Sequence, residues 1–142
     1  MNIAGKTTIT VEIEIDAPIA KVWELWTTPA DIMQWNNTSP DWHNLKIEND
    51  LRPGGRFLFV MAAKNGTDKF DFTGTYDEVK TNQLISYTLD DGRKTTITFA
   101  TGNPVKITEA FDAESSLPAD MQRDFCEGVL TSFKKYAEDK ID

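Results

Sequence analysis

The first regular feature of the chain is a strict alternation of apolar and polar residues from Thr8 to Ile15. One face carries only β-branched apolar residues, and the other carries threonines and glutamates. A period of two with β-branched side chains predicts a half-buried β-strand. The apolar face of this strand is formed by Ile9, Val11, Ile13 and Ile15.

Two short helices are predicted directly after this strand. Asp16 is expected to cap the first helix, with Pro18 in its first turn, where the missing N–H has no intrahelical partner. Thr28 is expected to cap the second helix, with Pro29 at its first position. The polar stretch from Asn36 to Asn44 predicts a loop. The apolar residues of the two helices are Ile19, Val22, Trp23 and Trp26, followed by Ile32, Met33 and Trp35.

Alternation returns at Leu45 and continues to Phe111, interrupted by turn signals. Asn65-Gly66 and Asp91-Gly92 are strong hairpin signals. Strands joined by such tight turns are antiparallel, because parallel neighbours need long crossover connections. The pattern therefore predicts about six further strands in one antiparallel sheet.

The last segment changes to a helical period. Met121, Phe125, Val129 and Phe133 recur every four residues, and this predicts one amphipathic helix of about 20 residues. We expect its apolar side to face the sheet. The residues beside the main stripe are Cys126, Leu130 and Ala137.

Length and charge narrow the class of protein. The chain has 142 residues, which suits a single α+β domain over residues 1–142. Its net charge of −8 repels phosphate backbones and argues against nucleic-acid binding. A single cysteine excludes an internal disulfide, no run of 18 apolar residues predicts a membrane span, and the first six residues lack the apolar run of a signal peptide. We therefore expect a cytoplasmic protein.

The predicted order of elements has a physical consequence. A curved antiparallel sheet must cover its apolar face, and the terminal helix is the only element long enough to do so. A rod cannot fill a wide trough, so such an arrangement tends to leave a gap. Aromatic residues make up 11% of the chain. They either fill that gap or line it, and the sequence leaves both readings open.

The ordered set of motifs resembles the family named for the activator of heat-shock protein 90 ATPase, in its bacterial single-domain form, within the START-like (SRPBCC, Bet v-like) superfamily. The resemblance implies a helix-grip fold: a curved antiparallel sheet of about seven strands around a long C-terminal helix, with two short helices after strand 1. The stretches that carry it are Ala17-Pro18-Ile19 through Trp26, Pro29 through Trp35, Asp41-Trp42, Asn49 through Arg52 with Gly54-Gly55, Phe72 through Tyr76, Asp91-Gly92-Arg93, Thr108-Glu109, Phe111 through Glu114, and Phe133 through Tyr136.

One position departs from the family pattern. The family usually has Gly-Trp in the middle of the last helix, where this chain has Phe125-Cys126. A thiol in place of an indole enlarges or reshapes any cavity there. The additional N-terminal domain of the eukaryotic co-chaperone is not part of these residues, so a chaperone role is kept as an alternative.

The leading hypothesis is a domain that binds a small hydrophobic molecule, such as a lipid or an aromatic metabolite, between the sheet and the last helix. Glu109 shares a face with apolar residues and is the candidate orienting group. It is equally suited to a structural pair with Arg123 or another basic group, or to a solvated strand end. Trp35 and Trp42 adjoin the predicted loop and are candidates for the pocket mouth. The other candidate contacts are Phe57, Phe59, Met61, Phe72, Tyr76, Tyr87, Phe99, Phe111, Phe125, Cys126 and Val129.

Two alternatives come from other classes. One is a cyclase- or dehydratase-like enzyme in the same cavity, with Glu109 or a tyrosine as the acid–base group. The other is a co-chaperone-like interaction domain acting on a heat-shock protein 90 homologue. His43 is expected to be solvated, and Arg52 to pair with Asp50. No catalytic, cofactor or metal motif is present, so none is predicted. The sequence leaves open whether the protein is a monomer or a homodimer.

Overall fold

The computed structural model describes residues 7–37 and 40–140, and within them the chain forms one sheet and three helices. The N-terminal stretch of residues 1–6, used above to argue against a signal peptide, lies outside the described residues. The elements are β1 (Thr8–Ile15), α1 (Ile19–Thr27), α2 (Pro29–Trp35), β2 (Trp42–Asn49), β3 (Arg56–Ala63), β4 (Lys69–Lys80), β5 (Leu84–Leu89), β6 (Lys94–Ala100), β7 (Val105–Asp112) and α3 (Ala119–Asp139).

The seven strands form one antiparallel, curled sheet in the order β1-β7-β6-β5-β4-β3-β2. Both predicted hairpins are confirmed, with Gly66 and Gly92 at positive φ where an L side chain would be strained. β2 begins at Trp42, three residues earlier than predicted. The loop prediction fails there because β3 offers Trp42 and His43 pairing partners in Ala63 and Ala62. The helix-grip fold predicted from the resemblance is confirmed.

The helix starts differ in one detail from the prediction. α1 begins after Pro18, and no side chain caps it. The expectation that Asp16 caps this helix is wrong, because the N-cap position is Pro18, two residues later. The Asp16 backbone N–H donates to Glu138 Oε2 at 2.8 Å, on the last turns of α3. Thr28 does stand at the start of α2, but its hydroxyl donates back to Glu24 O.

The helix α3 lies between two neighbours. On one flank Arg123 donates to Thr10 O at 2.9 Å, and Lys134 donates to Glu14 O at 2.7 Å, so this flank runs along β1. The opposite flank lies against α2, as the following contacts show.

Two hydrogen bonds fix how α2 lies on α3. Tyr136 donates to Asp31 Oδ1 at 2.6 Å, and Ser132 donates to Trp35 O at 2.8 Å. The residue number rises along α2 while it falls along α3, so the two helices are antiparallel. α2 ends at Trp35, opposite Ser132, and the N-terminal half of α3 extends beyond it.

The side of α3 that faces the sheet differs from the predicted stripe. Cys126, Leu130, Phe133 and Ala137 are the buried residues of α3. Met121 and Phe125 were expected on the buried side, but they are 55% and 58% exposed. With about 100° between successive residues, both lie on the flank that Ser132 and Tyr136 occupy further along, where α2 is no longer present to cover them.

None of the helices in the described part of the chain combines the length and the apolarity needed to cross a membrane.

Candidate functional site

The interface between the sheet and α3 is packed differently at its two ends. Along the inward face of β7, Val105 and Ile107 are fully buried, whereas Glu109 and Phe111 are only half-buried. On α3, Phe133 and Leu130 are fully buried, while Val129, one turn before Phe133, is half-buried. We call the fully buried end the closed end, and it consists of Ile15, Val105, Ile107, Leu130 and Phe133. We call the half-buried end the open end, and it consists of Phe59, Phe72, Glu109, Phe111 and Val129.

The edge strand β1 does not follow this gradient. Ile9 is opposite Phe111 in the register, yet it is buried. The reason is that α3 runs along β1, as the Arg123 and Lys134 hydrogen bonds show. Accessible area at the open end is therefore concentrated away from β1, on β3, β4 and β7.

A cluster of aromatic rings lines the concave face next to the open end. Phe57 is at its centre, with ring centroids 4.9 Å from Tyr87, 5.2 Å from Tyr76, 5.5 Å from Phe59 and 5.6 Å from Phe72. These separations and inclined planes are typical of favourable aromatic pairs.

A glycine makes room for this cluster. Gly74 on β4 pairs with Phe57 on β3, and a Cβ atom at position 74 would lie 2.9 Å from the Phe57 ring. Such a distance is shorter than real contacts allow, so the ring occupies space that only glycine leaves free.

Glu109 is the one acidic residue on the inward face of β7. Val11 and Ile97 are its cross-strand neighbours, and Cys126 of α3 lies beside its carboxyl group. Burial raises the pKa of Glu109 to about 7, and the neighbouring Cys126 thiol offsets part of that rise. The carboxyl group therefore changes charge near neutral pH.

The suggestion that Glu109 pairs with Arg123 is wrong. The Arg123 guanidinium donates to the Thr10 carbonyl on the other flank of α3. Among the described residues, no lysine or arginine forms an ion pair with Glu109.

Two tyrosines bring further polar atoms to this face. Tyr87 is the cross-strand partner of Thr95, and burial, followed by the nearby Glu109, raises its pKa. The Tyr76 hydroxyl donates to Asn49 Oδ1, and burial raises its pKa as well. Both hydroxyl groups stay protonated at neutral pH.

The candidate residues divide into three groups by burial. The expectation that Trp35 lies at a pocket mouth is wrong: it is buried, donates from Nε1 to Leu25 O at 2.9 Å, and packs edge-on against Phe133. Buried with it in the core are Phe57, Tyr76, Tyr87, Phe99 and Cys126. The half-buried candidates are Trp42, Phe59, Met61, Phe72, Glu109, Phe111 and Val129. Phe125 alone is exposed.

Trp42 lies at the rim of the sheet. Its ring is 5.8 Å from that of Phe70, an exposed residue of β4. His43 follows on β2 and is half-buried rather than fully solvated. The predicted pair of Arg52 with Asp50 is confirmed at 3.0 Å.

Two polar residues of this face were not singled out in the sequence. Thr95 is buried and is the cross-strand partner of Tyr87, and Asn49 accepts the Tyr76 hydroxyl group and donates to Thr27 O. The alternation of Thr95 with Ile97 and Phe99 already indicated an inward position for Thr95. For Asn49 the sequence carries no comparable signal, because its partner is 27 residues away.

A surface groove of about 570 Å³ lies at the other end of the molecule. It contains none of the candidate residues. Glu138 within it already accepts from Asp16 N and from Lys134 Nζ at 2.7 Å. Its lining residues are Asp16, Ala17, Pro18, Gly102, Asn103 and Glu138.

Comparison with known proteins gives one family. The family model described as Activator of Hsp90 ATPase homolog 1-like protein matches residues 16–137. The solution structure of an AHSA1-like protein from Aeromonas hydrophila is 40% identical, covers 94% of this chain and 93% of its own, and superposes with a TM-score of 0.88. A protein from Cytophaga hutchinsonii is 49% identical over 93% and 92% of the two chains, with a TM-score of 0.83.

A more distant relative shares the fold alone. A protein from Chromobacterium violaceum is 23% identical over 92% of this chain and 96% of its own, with a TM-score of 0.82. No curated protein matches the chain.

Proposed function

The chain belongs to the family of Activator of Hsp90 ATPase homolog 1-like proteins, and we propose that it binds a small hydrophobic molecule between the sheet and α3, at the open end. The ligand would lie among Phe59, Phe72 and Phe111, with Val129 above it.

One observation carries this proposal: side chains that face inward at the open end keep accessible area. Glu109 and Phe111 continue the same row of β7 in which Val105 and Ile107 are sealed. In a uniformly packed core this row would be buried along its whole length, since interiors leave few voids larger than a water molecule. Accessible area on the inward face is what a ligand can remove from water.

The chemistry of the lining supports an apolar ligand. Phenylalanine rings dominate, and the polar groups are few: the Glu109 carboxyl group, the Cys126 thiol, the hydroxyl groups of Tyr76, Tyr87 and Thr95, and the Asn49 amide. Such a ratio is typical of small-molecule sites, where a few polar groups orient a ligand held by apolar contact. A bicyclic aromatic molecule that buries about 200 Å² would gain about 5 kcal/mol from apolar contact alone, at about 25 cal/mol/Å².

The experiment is a titration with prodan, a neutral naphthalene dye whose fluorescence rises in apolar surroundings, against a volume series at position 126. The 8% exposed Cys126 side chain faces the sheet beside Glu109. Binding should weaken in the order Cys126→Ala, wild type, Cys126→Leu, Cys126→Trp as the added volume occupies the site.

The matched control is Phe125→Trp, which places the same indole side chain on the exposed flank of α3 and should retain most of the binding. Circular dichroism checks that each variant is folded. No prodan binding by the wild-type protein, or equal binding across the 126 series, would contradict the proposal.

A second function has a specific observation in its favour, namely a co-chaperone-like interaction with a heat-shock protein 90 homologue. The family description names such an activity for relatives. Leu117 lies just before α3 and is 45% exposed, and Met121 and Phe125 in its first two turns are 55% and 58% exposed. Large exposed apolar patches are typical of contact surfaces. The test measures ATPase stimulation by the wild-type chain and by a Met121→Ser/Phe125→Ser variant. Stimulation that this variant loses supports the function, and no stimulation at saturating concentration excludes it.

A further inference from the structure

The carboxyl group of the half-buried Glu109 has more hydrogen-bonding capacity than its neighbours use. A carboxylate offers about four acceptor positions on its two oxygens. Cys126 supplies a thiol, which is a weak donor, and the cross-strand neighbours Val11 and Ile97 supply none.

The nearby cations are engaged elsewhere. Lys106, next to Ile107 on β7, points to the other face of the sheet and pairs with Glu12 at 3.2 Å. Arg123 and Lys134 of α3 donate to carbonyl groups of β1. Within residues 7–37 and 40–140, the inward face thus holds a carboxyl group for which the chain provides no counter-ion.

We propose that the ligand of the open end is an apolar molecule carrying one protonated nitrogen, whose N–H groups donate to the Glu109 carboxylate while its apolar part lies against the aromatic rings. This inference rests on the function proposed above and assigns the chemical class of the ligand.

Three features favour a cationic ligand over an alcohol or an acid. A charge-assisted hydrogen bond is about twice as strong as a neutral one. Aromatic rings attract cations to their faces, and Tyr87 and Phe111 are both neighbours of Glu109. The net charge of −8 draws cations towards the protein and repels carboxylates.

The protonation equilibrium makes this inference distinguishable from simple apolar binding. The titratable groups that face Glu109 are Tyr87 from β5 and Cys126 from α3, and burial raises the pKa of both, so they stay neutral. β1 and β6 contribute only Val11 and Ile97. An ammonium group needs the ionised carboxylate, so amine affinity should fall as the pH drops from 8 to 6, through the Glu109 pKa of about 7. Alcohol affinity should stay constant.

The test uses three probes with one ring system: 1-naphthylmethylamine, 1-naphthalenemethanol and 1-naphthylacetate, each displacing prodan at pH 8. The wild-type protein should bind the amine at least about tenfold more tightly than the alcohol. Glu109→Gln should bind the amine and the alcohol about equally, because the amide carries no charge to pair with the ammonium group. Glu12→Gln removes a charge from the outer face of the sheet and should leave the preference intact.

The outcomes separate the two proposals. If prodan binds but the amine has no advantage over the alcohol, or if Glu109→Gln retains the advantage, the amine assignment is wrong and apolar binding stands. If the wild-type protein binds neither prodan nor any naphthyl probe, both proposals are wrong. A preference for 1-naphthylacetate would also overturn the amine assignment.

Discussion

The closed end and the open end share one arrangement: in both, the inward-facing residues of alternating strands lie beneath an apolar side of α3. They differ in what lies on the flank of that helix. At the closed end α2 covers it. Phe133 packs edge to face against Trp26 and Trp35, with centroids 4.9 and 5.0 Å apart, and the two indoles are tilted against each other at 4.7 Å. At the open end α2 has stopped. The comparison teaches that a strand pattern sets which side chains face inward, whereas the covering elements decide whether they are sealed.

The largest effect should come from the closed end. Phe133→Ala removes a ring that is 0% exposed and should cost about 3–5 kcal/mol of unfolding free energy, because the surrounding rings cannot collapse into the space. Urea denaturation followed by circular dichroism measures this cost. A loss below about 1 kcal/mol would show that the closed end is also loosely packed.

The second prediction concerns pH and the open end. The pKa of Glu109 rises from its usual 4.5 to about 7 in the folded protein. Between these values the unfolded chain loses a proton that the folded chain keeps, so folding stability falls as the pH rises through this window. Above pH 7 the full penalty of about 3 kcal/mol applies, and below 4.5 it vanishes.

Glu109→Gln should remove this penalty, which makes the variant more stable than the wild-type protein at pH 8 and about equally stable at pH 4. Urea midpoints at several pH values measure the difference. A difference between the two proteins that does not change with pH would contradict the assignment.

The third prediction compares a ring at the open end with Phe133. Phe72 is half-buried, so Phe72→Ala gives up less apolar contact and should cost about 1–2 kcal/mol. The same denaturation assay applies, with added prodan as a second arm. Since Phe72 is proposed to line the site, the variant should also show a smaller increase in stability when prodan is added. A cost equal to that of Phe133→Ala would remove the distinction between the ends.

The smallest effect is expected on the exposed flank of α3. Phe125→Ser should change the unfolding free energy by less than about 0.5 kcal/mol, because the ring is 58% exposed and loses few contacts. Denaturation midpoints measure the change. A destabilisation of about 2 kcal/mol or more would mean that Phe125 is buried in solution, for instance against a second copy of the chain.

Most of the architecture could be predicted from the sequence, because period and turn chemistry are local. The alternation of β1, the Asn65-Gly66 and Asp91-Gly92 hairpins, and Pro29 at the start of α2 all appear in the structure. The inward position of Glu109 also follows from the sequence, because residues two apart on a strand face the same side and Ile107 faces inward.

The failures have a common physical origin in contacts between distant segments. α3 carries two interleaved apolar stripes, one through Phe125 and one through Cys126, and its own period cannot decide between them. The choice depends on the flank of α3 that α2 covers. Trp35 was placed at the mouth because a loop follows it, whereas the Leu25 carbonyl and Phe133 hold it in the core.

The antiparallel packing of α2 on α3 determines how the space for a ligand at the open end can be changed. Every turn added after Trp35 would advance the shorter helix by about 5.4 Å along the longer one, from Ser132 towards Val129 and then Phe125. Such an insertion would narrow the entrance to the open end one turn at a time and would leave every strand unchanged. The length of α2 would therefore control which ligand sizes enter, separately from the residues that determine ligand chemistry.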